Sequence, residues 1–148
     1  LPLASNQSAL IWTDDLRTGV DAIDKDHQIL FALANNVAHG DHGSAETERL
    51  VEELLTFMRY HFRREEAILK TCGYPDTDDH KARHRDLETR IAEIAEKWRA
   101  SRDQEKLREL CTVLRDWWCD HIPQLDKTVV RYTEGREDEI RATLAEVA

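Results

Sequence analysis

Between His61 and His84 the chain reads HFRREEAILKTCGYPDTDDHKARH. His61 and Glu65 are four residues apart, as are His80 and His84, and residues four apart on an α-helix stand one turn apart on the same face. Between the two pairs lie Cys72, Gly73, Tyr74 and Pro75. These read as a helix stop, with Gly at the end and Pro just beyond. The stretch therefore specifies a helix carrying His and Glu, a turn, and a second helix carrying two His. Packed antiparallel, the two helices can point all four side chains into one space. Imidazole with carboxylate is a donor set suited to iron or zinc.

The rest of the chain supports long helices. Gly (5) and Pro (3) are scarce among 148 residues, while charged residues make up 34% and hydrophobic ones 41%. That balance suits amphipathic helices rather than strands, which need many turn residues. The length is that of a single domain with a substantial core. Apolar residues recur three and four apart in four segments. The first, about Asp21 to Ala38, has the stripe Val20, Ile23, His27, Leu30, Ala34, Val37. The second, about Ala45 to Cys72 with Ser44 as N-cap, has Leu50 or Val51, Leu54, Met58, His61, Glu65, Leu69. The third, about Thr77 to Ala100, has His80, His84, Leu87, Ile91, Ile94, Trp98. The fourth, about Arg102 to Tyr132, has Leu107, Leu110 or Cys111, Leu114, Trp118, His121. Ser101 to Gln104 has the form of a capping box ahead of it. Short connections between such segments predict an all-α, up-down-up-down antiparallel four-helix bundle. An N-terminal arm (residues 1–18) precedes it, extended from Leu1 to Asp15 with Trp12 packing on the bundle. Residues 134–148 read as a short C-terminal helix or connector.

The net charge of −9 argues against nucleic acid and anionic membrane surfaces as partners. No apolar run approaches the ~20 residues a membrane span needs, and no signal peptide is visible. Cys72, Cys111 and Cys119 form no CxxC; Cys111 and Cys119 are about 12 Å apart along one helix, too far for a disulfide. Buried or half-buried thiols in a reducing cytoplasm are the expectation.

All five helical His residues fall on inward stripes. If a stripe covers about three-sevenths of a helix surface, chance gives this on the order of one time in a hundred. One buried His is usually a hydrogen-bonded core residue, but five converging are not easily explained so, and an unpaired buried Glu65 would be costly. A bound metal removes both problems. Asp126 is a further candidate. It lies five after His121, a poor spacing for one face, but Pro123 between them disturbs the helical hydrogen-bond ladder and could swing it inward.

The chain resembles the hemerythrins, specifically bacterial hemerythrin-like domains. The matching pieces are Trp12, GVDAIDKDH ending at His27, HFRREE from His61, GYP from Gly73, HKARH from His80 and WWCDHIPQLD ending at Asp126. The resemblance implies a non-haem centre of two iron ions joined by an oxo or hydroxo group. It gives one iron His80, His84 and His121, the other His27 and His61, with Glu65 and Asp126 bridging. Counting ligands then leaves one iron six-coordinate and the other with an open position for dioxygen, bound as hydroperoxide. The implied function is oxygen carriage, or oxygen or redox sensing, with dioxygen as ligand and no enzymatic turnover. The rivals are a di-iron oxidase, peroxidase or nitric-oxide-handling enzyme on the same scaffold, and a zinc-structured or metal-storage bundle. The missing initial Met and charged C-terminal segment suggest a domain linked to a signalling output module.

One departure from the family pattern is Trp118, where an aliphatic residue is usual. Three before His121, it shares that face and is expected near the open site, where it either shapes or gates the oxygen pocket or simply fills core volume. Asp24, three before His27, is either an outer partner of that His or a solvated helix-start carboxylate. Glu66 points about 100° from Glu65 and is expected on the surface or behind a ligand. Tyr74 is expected to pack at the turn, and His39 and His42 to be solvated in a loop.

Overall fold

Each inward stripe becomes a buried helix face. In the computed structural model, which describes residues 10–39 and 44–147, four long helices form: α1 (Asp21–His39), α2 (Ser44–Thr71), α3 (Thr77–Ser101) and α4 (Gln104–Thr133). The side chains of His39, Ser44, Leu125, Asp126 and Lys127 also lie outside the description. α1 packs on α2, α2 on α3, α3 on α4 and α4 back on α1, closing a four-helix ring. A shorter α5 (Glu137–Val147) lies against α2. There is no strand among the described residues. No described helix is long and apolar enough to cross a membrane.

The stripes fill the interior as their spacing requires. Leu30, Ala34, Val37, Leu54, Met58, Ile91, Leu110 and Leu114 are all fully enclosed in one large cluster that also holds Trp118. A second, smaller cluster of Val20, Ile23, Ile68, Cys72 and Ile140 joins α5 to α1 and α2. The His-bearing level lies early in α1 and α3 and late in α2, so antiparallel packing brings these positions to one height.

The connections explain the helix ends. After α2, the Gly73 N–H donates to the Lys70 carbonyl (3.1 Å) and the Tyr74 N–H to the Leu69 carbonyl (2.9 Å). With Gly73 at φ +73°, this is the Schellman C-cap, completed by the packing of Tyr74 on Leu69. Tyr74 thus packs at the turn, with its ring against Tyr132 at 5.5 Å. The capping box expected at Ser101 does not form. Ser101 is the last residue of α3, Arg102 turns left-handed at φ 55°, and Asp103 caps α4 by accepting from the Glu105 N–H at 3.0 Å. Two residues between the helices leave no room for a longer cap.

The described part of the arm is clasped to α1. Asn35 donates to the Leu10 carbonyl (2.7 Å) and accepts from the Leu10 N–H (2.8 Å). Trp12 meets Phe31 edge-on at 5.8 Å, the packing expected for it. One 3-10 turn at Asp14–Leu16 interrupts the extended path. Cys72 and Cys111 are buried, but Cys119 is exposed, a correction to the expectation of buried or half-buried thiols. It follows Trp118 by one residue, a 100° rotation that carries it off the inward face.

Candidate metal centre

Glu65 is placed by α2 at the bundle axis and is 1% exposed. Its two oxygens face opposite ways. Oε1 lies 2.5 Å from His80 Nε2 and 3.5 Å from His84 Nε2, both on α3. Oε2 lies 3.0 Å from His61 Nε2, one turn back on α2, and 3.7 Å from His27 Nε2 on α1. His121 of α4 joins the first set. Two groups result, Glu65 with His80, His84 and His121, and Glu65 with His27 and His61, the ligand atoms of each within 4.8 Å of one another. Each group could hold a metal ion, and the two share one carboxylate.

The donor atoms fit a cation better than each other. Among the described residues, His61 Nε2, His84 Nε2 and His121 Nε2 are buried without a hydrogen-bond partner, as is His27 Nδ1. Burial raises the energy of ionised Glu65, yet the surrounding imidazoles of His27, His61, His80 and His84 outweigh it and hold the carboxyl well below its usual range. Burial opposes protonation of His61 as well, but Asp26 and Glu65 together push its pKa up to about 9. Burial lowers His27 and takes His121 down to about 3. The cluster is an ionised carboxylate among imidazoles that compete for protons, and a divalent cation can replace those protons.

Two imidazoles are aimed from behind. His61 Nδ1 meets Asp26 Oδ2 at 3.1 Å, and His84 Nδ1 meets Glu66 Oε2 at 2.7 Å. With Nδ1–H donated outward, the Nε2 lone pair of each ring faces the site. Aromatic rings wall the rest. Phe62 stacks on His84 at 3.9 Å and 9°, and Trp117 on His121 at 4.0 Å and 21°. A 190 Å³ cleft lined by Tyr74, His80, Arg83, His121, Gln124 and Thr128 opens beside His80 and His121.

All five helical His residues and Glu65 converge as their stripes require. α4 runs continuously through Pro123; the side chain of Asp126 lies outside the described residues, as do those of His39 and His42. Asp24 is buried, but its Oδ1 accepts from the Thr18 N–H (2.7 Å) and hydroxyl (2.8 Å). Among the described residues it forms no hydrogen bond to His27, on which it acts through its charge. Trp118 is fully enclosed, 5.6 Å from Phe31, and among the described residues its indole N–H has no partner. Asp26, Arg64 and Trp117 were not foreseen. Trp117 had a signal, lying four before His121. Asp26 had none, because its partner is 35 residues away.

Comparison with known proteins agrees with this geometry. Residues 18–133 match the family described as the hemerythrin HHE cation binding domain. A bacteriohemerythrin of Stenotrophomonas maltophilia is 32% identical over 115 residues, covering 76% of this chain and 74% of its own. A bacteriohemerythrin of Pseudomonas aeruginosa is 29% identical over 140 residues, covering 93% and 86% respectively. One from Methylococcus capsulatus is 29% identical over 123 residues, covering 80% and 92%. No solved structure gives a significant match. With the family match running through all four helices that carry the clustered His and Glu donors, the chain belongs to the hemerythrin HHE cation-binding family.

Proposed function

We propose that the chain is a di-iron, dioxygen-binding domain in which His80, His84 and His121 hold one iron and His27 and His61 the other. Glu65, and Asp126 by the family resemblance, would supply the carboxylates shared by the two ions. The observation that supports this most is the orientation of Glu65, whose two oxygens face two separate imidazole sets. When bound, the iron pair supplies the electrons that make dioxygen binding reversible. The protein's share is to hold, orient and keep dry. His61 and His84 are fixed in one tautomer by Asp26 and Glu66. Phe62 and Trp117 cover the rings of His84 and His121, and the enclosed Trp118 adds to the apolar interior. An apolar wall admits an apolar gas freely and hinders the escape of charged products. Trp118 limits the oxygen pocket, so Trp118→Leu should change oxygen affinity or autoxidation rate; no change in either would remove that role.

The test is optical. The iron-loaded protein is reduced without oxygen, air is admitted, and the visible spectrum is followed beside an iron count. Two irons per chain and a persistent band lost on removing oxygen support reversible binding, for carriage or for sensing through a linked module. Rapid bleaching with turnover of a reductant would assign an oxidase instead. An iron-free, colourless protein would end the di-iron reading.

A further inference from the structure

The two imidazoles aimed from behind are not aimed equally. Glu66 accepts from His84 Nδ1 at 2.7 Å, and among the described residues no Lys or Arg ion-pairs with it. Asp26 accepts from His61 Nδ1 at 3.1 Å with the same oxygen, Oδ2, that takes the Arg64 Nε–H at 3.0 Å. Arg64 is itself fixed, its Nη1 donating to the Tyr60 hydroxyl at 3.0 Å and its guanidinium lying 5.0 Å over the Tyr60 ring. Its side chain is 16% exposed, so water screens the pair only in part. A carboxylate oxygen that serves a guanidinium and an imidazole together is a weaker acceptor for each. The imidazole it backs keeps its Nδ1 proton more fully and is a poorer electron donor through Nε2.

We propose that Arg64 is a positioning residue that makes the two metal positions electronically unequal. The position of His27 and His61 is biased toward the reduced state, and that of His80, His84 and His121 toward the oxidised state. The proposal rests on the di-iron reading. The number of imidazoles already differs between the positions, and Arg64 adds to that difference by weakening Asp26. A tie between α1 and α2 with no influence on the metal is the alternative.

The experiment is an anaerobic redox titration of the iron-loaded full chain, with Co(II) uptake by the iron-free chain as a second readout. Arg64→Met should lower one of the two one-electron steps so that the ferric-to-ferrous ratio at fixed potential rises about tenfold, or about 59 mV. The other step should stay in place. Arg64→Lys, which keeps the charge, should restore most of the shift. Glu66→Gln should raise the other step. Co(II) should bind the affected position of Arg64→Met about tenfold more tightly. A purely structural tie predicts the opposite sign, with looser Co(II) binding and no selective shift, and that result would overturn the proposal. So would equal movement of both steps. If Arg64→Met does not fold, Glu66→Gln and Arg64→Lys carry the test, and an unmoved potential in Glu66→Gln overturns it. Failure of the unaltered chain to take up iron would overturn the di-iron reading and this inference together. Two irons with potentials indifferent to Arg64 and Glu66 would overturn this inference alone.

Discussion

Glu65 shows how much one side chain can decide. It is ionised and buried, and it touches four imidazoles from three helices. Glu65→Gln keeps the shape but removes the charge and turns one oxygen into an NH2 donor facing imidazole. Iron content should fall by at least tenfold at both positions, since losing even an outer partner of a metal ligand typically costs 10–100-fold. Metal analysis of purified protein checks this. Thiol reactivity tests a different residue-scale contrast. Burial pushes the Cys111 thiol up to about 12, and burial also raises Cys72, while Cys119 is exposed. At about pH 8, near the usual thiol pKa, alkylation of the native chain should modify Cys119 alone, and denaturant should release the other two. Intact mass gives the count directly.

At the scale of the element, the caps carry the testable energetics. Gly73 is left-handed with nothing within 4 Å of where a Cβ would stand, so Gly73→Ala isolates backbone strain of about 1–2 kcal/mol. Asp103 caps α4 through Glu105, and Asp103→Ala should cost about 1 kcal/mol. Both should lower the denaturant midpoint and leave iron content unchanged. Helix extents and inward faces were legible beforehand because apolar spacing at three and four is a local signal. The choice of Asp103 over Ser101 as cap was not. Both are good capping residues two positions apart, and what separates them is how sharply α3 must turn into α4, with Arg102 left-handed and its guanidinium over Trp98 at 4.5 Å.

For the whole molecule, candidate ligands from all four helices would link metal and fold. A cation bound only by the folded chain, at 100 times its dissociation constant, adds about 2.7 kcal/mol. For a domain of this size each kcal/mol is worth roughly 2–4 °C. Chelation should therefore lower the melting temperature by about 5–10 °C. An unchanged melting curve after verified metal loss would show that the bundle stands without its centre. The four amphipathic helices, their order and the inward placement of the five His and Glu65 follow from local spacing, because helical periodicity places residues on a face whatever lies opposite. Which groups meet across helices is a matter of packing. Asp26 with His61, Glu66 with His84, Phe62 on His84 and Arg64 behind Asp26 depend on the rotation and height of one helix against its neighbour. Those are set by the packing of the whole core, and no local spacing records them.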